Sequence, residues 1–200
     1  MVTVNERDRS ATEARLKAAA VAVWSHHGFD GASVKEIAEA AGANVSLINR
    51  YFGGKEGLLL TILDEMIVRK QEGALDYPAQ DSLEAETLEY LRLRYRADMA
   101  DQALIRIIIS KITVDRTFRD RALRSLTYAT DANFMERLVR LRDAGRIAPG
   151  VALPMVFRQV AFISFSAALT EGIILERPAD DTDRALRDAA GMIGAFYGQD

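Results

Sequence analysis

Ser46, Asn49 and Arg50 have the side-chain types and the spacing to read a nucleic-acid edge. They lie at i, i+3 and i+4, so on a helix turning about 100° per residue they share one arc. Asparagine can pair with adenine N6 and N7, the arginine fork matches guanine O6 and N7, and a small serine lets a helix come close to a groove edge. Val45 and Leu47 flank this arc, and Ile48, Tyr51 and Phe52 fall on the opposite side. Taken alone, the arc reads equally well as an ordinary solvated helix face.

Little else offers site chemistry. The chain has no cysteine, which removes thiol nucleophiles, disulfides and cysteine-based zinc sites and suits a reducing compartment. Its two histidines, His26 and His27, are adjacent and would point about 100° apart on a helix, so they cannot converge on a metal by themselves. No nucleophile and base can be paired from the sequence, so an all-α enzyme is a weak alternative, and neither metal nor cofactor is expected.

The elements around the arc are helical. Ser33 and Glu36 form a capping box ahead of Val34, Ile37, Ala38 and Ala41, which repeat at i, i+3, i+4 and i+7. Gly42 breaks that short helix and Asn44 caps a second one, Val45 to Phe52. Two short helices joined by a glycine-bearing turn make a helix-turn-helix unit. A preceding helix is predicted from Ser10 or Thr12 to His27, stopped at Gly28, with Leu16, Ala19, Ala20, Val23 and Trp24 inward and Phe29 plugging the core. After Gly53 and Gly54, Lys55 opens a long helix whose N-terminal amides favour a phosphate.

At this point AGANVSLINRYFGGKEGLLLTIL resembles the TetR/AcrR family signature, and WSHHGFDGASVKEIAEAAG resembles that family's first two helices, so residues 10 to 65 match in order and spacing. The resemblance implies a transcription regulator whose DNA contacts fall on Ser33, Asn44, Val45, Ser46, Leu47, Asn49, Arg50 and Tyr51, with Lys55 as a phosphate clamp. Val45 and Asn49 depart from the residues frequent at those places, so the operator cannot be borrowed from a relative. It further implies a homodimer built on the last two helices, with Phe165, Ala168, Gly172, Ala190 and Gly194 at the interface, the alternative being that the apolar helix around Phe165 is core of its own chain.

The expected fold is therefore all-α, with about nine helices: a three-helix DNA-binding domain over residues 1–54, a linking helix over 55–72, and a helical sensing and dimerisation domain over 73–200. Later helices are predicted at 82–99, 103–114, 118–144, 153–175 and 182–197. Tyr95, Met99, Phe118, Tyr128, Phe134 and Phe162 could line an apolar ligand pocket, although such a stripe is more often plain core. The functional expectation is a repressor released from a palindromic operator by a small apolar or amphipathic ligand.

Charge argues the other way. The 200 residues carry a net charge of −3, and residues 1–72 hold nine Lys and Arg against ten Asp and Glu. A helical adaptor that binds protein thus stays open as an alternative. The N-terminus has no apolar run, and the longest apolar stretch, Val160 to Thr170, reads as too short to span a bilayer. A cytoplasmic protein is expected.

Overall fold

Helix caps and glycines decide where the chain turns. A computed structural model describes residues 4–126 and 130–199, which form ten α-helices and one π-helical stretch. These are α1 (Val4–Gly31), α2 (Val34–Ala40), α3 (Val45–Phe52), α4 (Lys55–Glu72), α5 (Leu83–Ala100), α6 (Gln102–Val114), α7 (Arg116–Leu126), α8 (Ala132–Asp143), α9 (Leu153–Ser166) continuing as a π-helix (Ala167–Ile174), and α10 (Ala179–Tyr197).

Two predicted boundaries are corrected and one, at Gly28, holds. α1 begins well before Ser10, and Thr12 is no cap, because its hydroxyl donates to Asp8 O at 2.8 Å inside the helix. Gly28 (φ 70°, ψ 166°) leaves the helical region and interrupts α1 where the stop was predicted, and a further short helical turn runs to Gly31. The single helix expected over 118–144 is two, since Asp131 caps α8 by accepting from Phe134 N at 3.0 Å.

Packing divides the chain into two compact units, Met1–Val68 with Ala103–Tyr128, and Arg69–Gln102 with Ala129–Asp200. The expected boundaries at 54 and 72 do not coincide with this division, because α6 from Ala103 onward and α7 pack with the N-terminal helices. In the first unit Leu16, Ala20, Trp24, Ile37, Ile48, Leu58 and Leu63 form the core, joined by Phe118 and Ala122 of α7. The Phe29 ring lies 5.2 Å from Trp24 and 6.5 Å from Phe118, so Phe29 is the plug its position predicts.

In the second unit the rings of Tyr90 and Phe134 stack at 3.8 Å among Leu91, Leu138, Val156, Val160, Leu186 and Ala190. α8 holds the connection that follows α4: Asn133 donates to Gly73 O at 3.2 Å, Arg137 to Tyr77 O at 3.4 Å, and Arg140 to Gln80 O. The fully buried Glu86 accepts from Gln80 N at 2.8 Å through Oε2, which pairs one oxygen of a group that is costly to enclose. The last turn of α4 is clamped to α5 by Lys70–Asp98 (2.5 Å), Arg69–Asp101 (2.7 Å) and Arg94 donating to Lys70 O (2.8 Å).

α9 and its π-helical continuation form a 22-residue helix, long and apolar enough by length and composition alone to cross a membrane. Glu171 lies within the helix and pairs with Arg177 at 2.9 Å. One face of the helix is core of its own unit, with Val156, Val160, Ala168, Gly172 and Ile173 buried. Phe162, Phe165 and Ile174 are exposed on the other.

This arrangement corrects the expected dimer contacts. Ala168 and Ala190 are fully enclosed by their own chain. Gly172 is where α9 meets α5, since a Cβ there would lie 2.4 Å from Met99 Sδ, and a Cβ at Gly194 would lie 2.7 Å from Glu84 Cβ. The small residues bring α5 against the last two helices within one chain, and of the five expected residues Phe165 is exposed.

Candidate nucleic-acid interface

The recognition arc is built from local caps. Ser33 Oγ accepts from Glu36 N at 3.2 Å while Glu36 Oε2 accepts from Ser33 N at 2.7 Å. These hydrogen bonds, the backbone one foremost, hold the Glu36 carboxyl below the usual carboxylate range. After Gly42 (φ 59°) the chain turns, and Asn44 Oδ1 accepts from both Ser46 N (2.9 Å) and Ser46 Oγ (2.8 Å). Ile48 is fully buried and anchors α3, while Asn44, Ser46, Asn49 and Arg50 are exposed and Val45, Leu47 and Tyr51 half-buried. Asn44 is thus a cap whose amide NH2 is left outward, and Ser33 is a cap that accepts with its oxygen and keeps its own O–H to donate. Asn49 and Arg50 are the long polar side chains free to reach a base edge.

A glycine that sequence reasoning passed over sets the angle at which α3 meets α4. Gly53 (φ 72°) ends α3, its N–H donating to Asn49 O at 3.0 Å. Three residues into α4, a Cβ at Gly57 would lie 1.7 Å from Phe52 O. The signal was present, because a glycine inside the first turn of an apolar helix lowers helix propensity and calls for a reason.

Lys55 is not aimed outward as a phosphate clamp. Its ammonium donates to Phe29 O at 2.7 Å and Ala32 O at 2.8 Å, with Asp30 O at 3.4 Å, and sits 4.7 Å from the centre of the Phe29 ring. It neutralises the carbonyl end of α1, where a cation is favoured. Lys111 of α6 approaches the same ring at 5.0 Å and pairs with Asp115 (2.7 Å), Glu56 (3.5 Å) and Asp30 (3.7 Å). The Lys111 ammonium, with Phe118 N, holds the Asp115 carboxyl low. Lys55→Met is therefore expected to lower the stability of this unit by about 1–3 kcal/mol, as loss of hydrogen bonds from a charged donor does. It should leave the salt dependence of DNA binding unchanged. Urea melts and titrations at several salt concentrations check both halves.

The other expected ligand and site residues do not converge. Phe118 is core of the first unit, Phe134 is stacked under Tyr90, Phe162 is exposed, and Tyr128 lies outside the described residues. Tyr95 and Met99 do stand together, against Gly172. Among the described residues no group of three or more His, Cys, Asp or Glu is placed to hold a metal.

Comparison with known proteins agrees with the geometry. Residues 16–62, which span α1 from Leu16 through the first half of α4, match the family described as bacterial regulatory proteins, tetR family. The matched segment is 47 of the chain's 200 residues. The chain is similar to the HTH-type transcriptional repressor SCO4008 of Streptomyces coelicolor, 42% identical over 62 residues, which are 31% of this chain and 32% of that protein. It is also similar to the HTH-type transcriptional repressor AcnR of Corynebacterium diphtheriae, 26% identical over 94% of this chain and 98% of that one. The chain thus spans about a third of the length of the first relative and nearly all of the second. A TetR-family regulator from Mesorhizobium loti shares the fold, with a TM-score of 0.68 at 20% identity over 96% of this chain and 98% of that one. The matched segment contains the whole α2–α3 unit, while Arg9 and everything beyond Ile62 lie outside it.

Proposed function

We propose that the protein is a sequence-specific DNA-binding transcription regulator, a cytoplasmic homodimeric repressor released from a palindromic operator by a small apolar or amphipathic effector. The observation that carries this reading is the exposed arc of Ser46, Asn49 and Arg50 on a capped α3 that Ile48 roots in the core. The name of the relative AcnR, a transcriptional repressor over nearly its whole length, supports repression. Selection of bound sequences from random duplex DNA tests the reading. An enriched palindrome supports it, whereas duplex binding that is absent or indifferent to salt overturns it in favour of a protein-binding adaptor.

Arg50 is the test residue for base reading. It is exposed, and Arg50→Ala is expected to cost roughly 1–3 kcal/mol on the selected operator while relaxing preference at one base pair of each half-site. Parallel titrations of operator and scrambled duplex check it. An equal loss on both would remove Arg50 from the reading set.

Dimerisation is supported by apolar surface. Phe162 (68% exposed), Met192 (70%) and Phe196 (78%) stand out from α9 and α10 with Phe165, Ile174 and Leu175, beside an open groove of about 480 Å³ lined by Ile163, Ala189 and Ile193. Large apolar side chains clustered in this way signal a partner surface. Effector sensing is supported by Thr87 Oγ1 and Ser164 Oγ, buried in the second unit without a hydrogen-bond partner, because such groups are retained for a reason.

A further inference from the structure

The recognition face is short of free cations. Lys55 is committed to the carbonyls of α1, and Lys35 pairs with Glu39 at 3.7 Å. One more guanidinium stands beside α3. Arg9, ahead of the family-matched segment, has its Cζ 4.9 Å from the centre of the Tyr51 ring. Its Nε donates to Glu13 Oε1 at 2.7 Å, and its side chain is 59% exposed.

We propose that Arg9 is a DNA-contacting residue that grips a backbone phosphate at the rim of the groove entered by α3, that Tyr51 holds it beside that helix, and that Glu13 is the partner it gives up on binding. This rests on the reading of α3 as the recognition helix. The Glu13 pairing uses Nε and leaves both terminal NH2 groups as donors, enough for a forked bond to a phosphate. Stacking on Tyr51, the residue next to Arg50, ties the plane of the guanidinium to the reading helix, so a helix seated in the groove carries Arg9 to its edge. The Arg9–Glu13 pair is an exposed i, i+4 pair, weak and screened by salt, and it yields readily to a phosphate. A phosphate contact holds the protein on the duplex without selecting a sequence.

The test uses the full chain, its selected operator and a scrambled duplex of equal length, across a range of salt concentrations. Arg9→Gln is expected to weaken both duplexes alike, on the order of tenfold, and to make the slope of log K against log salt shallower by about 0.9 per phosphate contact, about 1.8 for a dimer. Glu13→Gln should tighten binding when Arg9 is present, and that gain should vanish in the Arg9→Gln background, whereas mere removal of a negative charge would act equally in both. Helical content measured alongside should not change, since Arg9 is exposed. Arg9→Gln with unaltered affinity and slope, a loss confined to the operator, or a Glu13→Gln gain that persists without Arg9 each overturns the assignment while leaving the recognition helix standing. Wild-type protein that binds neither duplex overturns both.

Discussion

Gly57→Ala is expected to abolish operator binding while most of the helical content survives. The added Cβ would lie 1.7 Å from Phe52 O, and a backbone carbonyl at that distance cannot be relieved by rotating a side chain. Either the first turn of α4 moves away from α3, or α3 loses its last turn, where Asn49 and Arg50 hold their outward arc through the Gly53 N–H to Asn49 O bond. Overpacking of this kind costs about 1–3 kcal/mol or more in stability, and displacement of the arc forfeits the base contacts as a set. Gly31→Ala is the control, because nothing lies within 4 Å of a Cβ at that position. Circular dichroism, urea midpoints and operator titrations of the two variants decide the matter. Wild-type affinity in Gly57→Ala would show that the α3–α4 junction does not position the reading residues.

Phe162→Glu combined with Phe196→Glu is expected to yield a folded monomer that no longer binds the palindrome. Both rings are mostly outside the core of their own unit, at 68% and 78% exposure, so the substitutions leave intramolecular packing intact. At a subunit interface they would bury unpaired carboxylates, which typically costs several kcal/mol, and in a two-fold dimer each residue is used twice. Light scattering and operator titration, with a half-site duplex as a control for intact heads, provide the measurement. A wild-type protein that is monomeric at micromolar concentration would end the dimer reading. A charge at Ala168 would be a poor test, because that residue is fully enclosed by its own chain and the variant would unfold.

What could be read from the sequence follows the range of the forces involved. The Ser33–Glu36 box, the Asn44 cap, the buried Ile48 and the outward Ser46, Asn49 and Arg50 depend on residues two to four positions apart, and helical spacing with local capping dictates them before any tertiary contact forms. The all-α class and the α2–α3 unit were legible for that reason, and so was the family resemblance that residues 16–62 carry.

Everything that depended on a distant partner was decided by tertiary structure. Lys55 looked outward in sequence but turns back to carbonyls more than twenty residues earlier, where the end of α1 presents unsatisfied acceptors. Phe118 read as pocket lining because its helix follows the expected domain boundary, yet α7 packs in the unit that contains α1 to α3. The glycines at 172 and 194 were legible as close approaches, but a small residue does not say whose backbone approaches it, and here it is α5 of the same chain. Arg9 is the converse case: an unremarkable charge on a terminal helix becomes part of the reading surface because the fold sets it against Tyr51, forty-two positions away in sequence.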